Sequence, residues 1–213
     1  ADVSAYANGG AHAVRLHGVT TDASGSLLVD DASLLACGGG GTSRPPVAGD
    51  LVINEILADP GATTGDANCD GTISTTNDEF VEIVNVSTDT LILDTVTVAD
   101  NNSVRHTFAA GTNLAPGKAV VVYAAGTPSC AFGPGNLAFT ASGGQLGLNN
   151  NGDTVTLALG ATTLAAVTYG NEGGNDQSLT RSPDLTGSFV QHTTINPPGL
   201  RFSPAAHVDG SAF

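Results

Sequence analysis

The sequence has no tryptophan, no methionine and a single lysine, Lys118. Aromatic residues make up 5% of it against 40% hydrophobic residues, so its core has to be built from Val, Leu, Ile and Ala. The shortage of Trp and Tyr argues against a carbohydrate-binding module, because sugars stack on aromatic faces. Positive charge is equally scarce: six basic residues face twenty acidic ones, a formal net charge of −14. Such a surface repels phosphate backbones and anionic lipid, which disfavours nucleic-acid and membrane partners and favours divalent cations. No apolar run approaches the roughly 20 residues that a spanning helix requires, so direct membrane insertion is not expected. Helical periodicity is also missing.

Glycine is abundant, at 28 of 213 residues, and Ser, Thr, Asn and Asp separate the aliphatic stretches. That mixture suits short strands joined by turns. LVINEIL (51–57), EFVEIVNV (79–86), TLILDTVTVAD (90–100), RHTFAAG (105–111) and GKAVVVYAAG (117–126) are strand candidates. NLAFTA, GGQLGLNN, DTVTLALG and TTLAAVTYG follow at close spacing. The near-continuous apolar run in 117–126 marks a strand buried on both faces. The count and spacing imply an all-β protein, an antiparallel β-sandwich of about nine strands.

The flanks read differently. Residues 1–36 hold two strand-like stretches, HAVRLHGV and SLLVDD, around the turn TDASG, and read as an N-terminal extended arm or hairpin able to donate a strand. Residues 37–50 read as a Gly/Pro linker, 51–182 as the sandwich and 183–213 as an irregular C-terminal extension packed on it. LLAC (34–37) resembles a lipoprotein cleavage box, but Asp22, Asp30 and Asp31 stand where an apolar segment belongs. Of the three cysteines, Cys69 and Cys130 are the expected disulfide, because both lie in the well-patterned region. Cys37 is then a free thiol, a lipidated residue or an intermolecular partner.

One loop has metal-ligand spacing. GDANCDGTISTTNDE (65–79) places Asp66, Asn68 and Asp70 on alternate positions, then Gly71 and Thr72, the pattern of the first half of a calcium loop. Its twelfth position is Asn77 rather than an acid, so Asp78 or Glu79 would have to close the shell. The expected metal set is therefore Asp66, Asn68, Asp70, Thr72, Asp78 and Glu79, holding structural calcium in an insertion at 61–79. The rival is a metal-free turn, since Asp, Asn and Gly favour turns anyway.

Other reactive patterns are thin. The five histidines, His12, His17, His106, His192 and His207, show no zinc spacing, and no nucleophile elbow or phosphate loop is present. No catalytic residue is therefore assigned. Glu55, Asp59 and Glu82 offer a carboxylate pair, but solvated acids on strand edges are the expected arrangement, as is an exposed His106. Asn85 and Asn101 each begin an N-glycosylation pattern, of a kind that arises by chance in Asn/Ser-rich chains.

Several segments together resemble the lamin-tail domain in its bacterial, secreted branch. These are EFVEIVNVSTDTLILDTVTVAD, RHTFAAGTNLAPGKAVVVYAAG, LGLNNNGDTVTLAL and VTYG, with INEI at 53–56 and the Asn-Gly-Asp turn at 151–153. The resemblance spans residues 51–182 and implies an immunoglobulin-like sandwich without catalytic residues. One departure is visible: Val96 or Val98 stands where the family usually has an aromatic. The expected role is a non-enzymatic structural or adhesion module, extracellular or on a bacterial surface. The detached arm suggests self-association into a filament by strand exchange. The alternatives are a calcium-supported secreted hydrolase or its accessory domain, and a carbohydrate-binding module.

Overall fold

The computed structural model describes residues 42–195 and 199–213. The arm assigned to 1–36, Cys37 and the start of the linker lie outside the described residues.

The strands are β1 (Ser43–Arg44), β2 (Leu51–Leu57), β3 (Phe80–Asn85), β4 (Thr90–Ile92), β5 (Val96–Ala99), β6 (Val104–Thr107) and β7 (Asn113–Leu114). They continue with β8 (Ala119–Tyr123), β9 (Leu137–Thr140), β10 (Asp153–Leu159), β11 (Thr162–Tyr169), β12 (Leu179–Ser182) and β13 (Ser188–Gln191). Among the described residues these form three sheets, ordered β13-β12-β2-β3-β8-β9, β11-β10-β5-β6 and β1-β4-β7. Pairing is antiparallel except for β8 with β9 and β1 with β4, which run parallel. The fold is thus the expected all-β, immunoglobulin-like sandwich, with two parallel pairings that alternation along single strands does not reveal.

The main core lies between the two larger sheets. Ile53, Ile56, Val81, Ile83, Val120 and Val122 meet Val96, Val98, Val155, Leu157 and Leu164 there. A second cluster covers the opposite face of the six-stranded sheet: Leu57, Phe80, Val84, Ala119, Val121 and Tyr123, with Ala205 against them. Every residue of β3 and β8 is therefore buried, on both faces. For β8 this is what its apolar run implies. For β3 it requires that Glu82 be buried too.

Four segments depart from the sequence reading. The stretch 90–100 is two strands in different sheets, and Thr95, at φ 62°, turns the corner between them. GGQLGLNN forms no strand, although Leu146 and Leu148 still enter the core. The body also starts before Leu51, because β1 pairs with β4 and Arg44 bridges Asp50 (2.5 Å) and Asp89 (2.7 Å). At the other end, β13 pairs with β12, so part of the C-terminal extension completes a sheet.

Candidate functional site

The strand β2 begins with Leu51 and Ile53 facing the main core. Strict alternation would put Glu55 there as well. A bulge at Asn54 shifts the register between Ile53 and Glu55, so that Ile56 faces the core and Glu55 turns to the outer face. There it sits directly across from Glu82 of β3. Both carboxylates are fully buried, at 0% exposure. Asp59 is not with them; it accepts hydrogen bonds from Asn150 Nδ2 (2.6 Å) and the Asp176 N–H. The expectation of solvated acids is corrected for Glu55 and Glu82, because residues 199–213 cover this face.

The covering segment is held by the acids themselves. Glu55 Oε1 accepts the backbone N–H of Ser203 (2.9 Å), and Oε2 accepts the Ser203 hydroxyl (2.8 Å). Glu82 Oε2 accepts the N–H of Ala205 (2.6 Å). Its Oε1 accepts from Asn54 Nδ2 (2.9 Å), and Asn54 Oδ1 in turn accepts the N–H of Leu185 (2.8 Å). His192 is buried alongside, with Nε2 3.0 Å from Ser203 Oγ and Nδ1 2.9 Å from the Leu200 carbonyl. Burial pushes the Glu55 carboxyl up to about 7, against hydrogen bonds from Ser178 and Ser203. Burial, then the charge of Glu55, raises Glu82 well above the carboxylate range. Burial lowers the His192 imidazole, keeping it neutral.

A histidine against two acids suggests chemistry, but the arrangement is closed. A shallow groove nearby is lined by Thr64, Gly199, Leu200, Arg201 and Phe202, and neither carboxylate reaches it. Ser203 stands between the acid and the imidazole, its hydroxyl within hydrogen-bonding distance of Glu55 Oε2 and His192 Nε2 and buried with them.

The 61–79 insertion is tied down separately. Cys69 and Cys130 form a disulfide, as the cysteine positions suggested. Ser129 reinforces it, with its N–H on the Asn68 carbonyl (2.8 Å) and its hydroxyl on that of Cys69. Within the loop, Asn68 Oδ1 accepts the Asp70 N–H and Asp70 Oδ1 the Thr72 N–H. Asp70 Oδ2 accepts the Thr127 N–H. Asp78 takes the N–H groups of Asn68 (3.1 Å) and Ser74 (2.8 Å). Asp66 Oδ2 accepts from Gly71, whereas Asp66 Oδ1 is buried with no hydrogen-bond partner. Gly126 makes the close approach possible. It has φ +84°, and a Cβ there would run into the Asn68 and Asp70 side chains.

Of the six residues expected around calcium, Asp66, Asn68, Asp70 and Asp78 share this loop, and Thr72 is exposed on it. Glu79 points elsewhere, accepting the Leu148 N–H (3.2 Å) across the sandwich. Burial raises its carboxyl to about 7. Among the described residues no three His, Cys, Asp or Glu side chains converge as a ready metal site. His106 is likewise buried, not exposed; it packs edge-on against Phe108 (4.6 Å) and its Nδ1 accepts the Ser142 N–H.

Two comparisons with known proteins bear on this site. A family model described as Lamin Tail Domain matches residues 44–171. A search of curated proteins finds no match. The matched segment holds Glu55, Glu82 and the disulfide loop, and it stops before β12, β13 and residues 199–213.

Proposed function

We propose, for a chain that belongs to the lamin tail domain family, the role of a structural module on the outside of a bacterial cell, assembled into filaments through its N-terminal arm. One observation carries the non-catalytic part of this reading. The buried groups capable of chemistry, Glu55, Glu82 and His192, are spent on holding backbone and hydroxyl groups in a closed interior. An extracellular setting is supported by the Cys69–Cys130 disulfide, since such bonds persist in oxidising compartments. No aromatic ring among the described residues is fully exposed, which leaves sugar stacking without a platform.

Self-association needs an acceptor edge, and β11 supplies one. It pairs with β10 on one side only, and its sequence, TTLAAVTY, carries neither charge nor proline to discourage a further strand. The opposite edge of that sheet, β6, carries Arg105 and is partly covered by Ser142 and Gly143. The arm at 1–36 of one copy is proposed to pair with β11 of the next, a head-to-tail contact that propagates. Sedimentation of the full chain should show oligomers growing with concentration, and a chain starting at Thr42 should remain monomeric. Two monomers would remove strand exchange, and two oligomers would place the contact on the body instead.

A second reading concerns calcium. The Asp66 oxygen buried without a partner, beside an Asp78 carboxyl raised by burial and by the Asp66 charge, is what a bound cation would relieve. Binding would draw Asp66, Asn68, Asp70 and Asp78 together around the ion, with water and backbone carbonyls completing the shell. Millimolar calcium should raise the melting temperature of the full chain by several degrees over EGTA, and Asp66→Asn should abolish the difference. Identical melting in both buffers would leave a loop closed by hydrogen bonds and the disulfide alone.

A further inference from the structure

Residues 199–213 lie across the outer face of the six-stranded sheet as an irregular strap rather than as a strand of it. Phe202 and Ala205 cover Phe80, Val84, Val121 and Tyr123, while the centre of the contact is polar. Such a strap could be fastened with an amide or hydroxyl, which carries no titratable charge. Here the acceptors of its Ser203 and Ala205 N–H groups are two carboxylates at directly facing positions of adjacent strands. We propose that Glu55 and Glu82 form a proton-operated clasp: the strap stays docked while the pair keeps a proton and is released when both groups are ionised.

The surroundings offer little to neutralise a second charge. The other charge acting on both carboxylates is Asp184, again acidic. Tyr123 of β8 lies close enough to feel both, and donates its hydroxyl to the Ala67 carbonyl. His192, from the turn after β13, meets the acids only through the Ser203 hydroxyl. The basic side chains nearby are engaged elsewhere: Arg201 with the Asp176 carbonyl, His207 with Asp184 (3.1 Å) and Lys118 with the Phe213 carbonyl (2.6 Å). Two ionised carboxylates facing each other without a counter-charge is an arrangement that burial penalises heavily.

The sign follows from linkage. With the strap open, water reaches the pair and each group returns toward its ordinary value of 4.5; docked, both are raised. Docking therefore takes up protons and weakens as pH climbs from about 4.5 through the docked values. His192 works in the opposite direction, since it is lowered when docked and charges more readily when freed, but only below its ordinary 6.5. Above that its contribution fades and the carboxylates' dependence remains. Opening should then increase about tenfold per pH unit for each proton released.

This clasp is independent of the assembly and calcium readings above. Its two acids lie inside the segment matched to the family, whereas the strap they grip lies outside it. Hydrogen exchange by mass spectrometry on the full chain between pH 6.5 and 8.5, corrected for intrinsic rates, tests it. The expected result is a strap peptide, 199–213, whose opening climbs by about an order of magnitude over the first unit while β3 and β8 stay protected. In an E55Q/E82Q variant, which mimics the protonated pair, the slope should vanish. A flat wild-type profile, a slope that survives in the variant, or β3 and β8 opening in step with the strap would each overturn the clasp. The wild-type comparison of strap against strands decides the matter even if the variant does not fold.

Discussion

Phe80→Ala is expected to cost about 3–5 kcal/mol of folding stability, the range for truncating a large buried ring. Phe80 is fully buried on the outer face of β3. Its ring meets Tyr123 edge-on at 5.6 Å and Phe202 of the strap at 6.4 Å, so it joins two sheet strands to the covering segment. Edge-to-face pairs add about 0.5–1.5 kcal/mol beyond the area they bury, and this ring has two such partners. For a body of this size the loss corresponds to a melting temperature lower by on the order of 10 °C. Urea unfolding of wild type and variant measures it. A change below about 1 kcal/mol would mean that the second cluster contributes little and that the main core alone sets stability.

Replacing both Cys69 and Cys130 by serine should remove a comparable amount. The bridge spans 61 residues, and closing a loop of that length in the unfolded chain is worth about 4 kcal/mol in the chain-entropy account. The closed loop contains β3 through β8, six of the thirteen strands described, so the bond constrains the unfolded form of much of the sandwich, not only the insertion. Equilibrium unfolding of the double variant against the oxidised chain provides the comparison. A loss under about 1 kcal/mol would show that the Asp, Asn and Ser129 hydrogen bonds around 66–78 already confine this region when unfolded.

What the sequence made legible was periodic or compositional. Five consecutive buried residues in β8 follow from its unbroken apolar run, and the turn residues between stretches place most strands. The disulfide followed from which cysteines lay in patterned chain. What stayed hidden depended on single-residue geometry or on distant chain. One inserted residue at Asn54 reverses which face Glu55 occupies, and nothing in LVINEIL marks the bulge. Glu82 alternates with the apolar Val81 and Ile83, which in most sheets means solvent, whereas His106 lies between Arg105 and Thr107 and shares the parity of Phe108. Here the strap buries the first, and the aromatic pair Phe108 and Phe139 covers the second. The loop motif was legible as a set of oxygens. Their N–H partners at Thr127 and Ser129 come from far along the chain, so no local pattern could count them. Thr95 marks the same limit: its left-handed backbone, rare for a β-branched residue, breaks one apparent strand into two sheets.

The matched segment stops at residue 171, yet β12 pairs with β2 beyond it, setting Leu179 opposite Ile56. The stretch by which kinship is recognised is therefore shorter than the stretch that closes the architecture. Cut at the signature's end, the molecule would lay bare the flank of its own central strand and leave two acids facing water without the backbone they were shaped to grip.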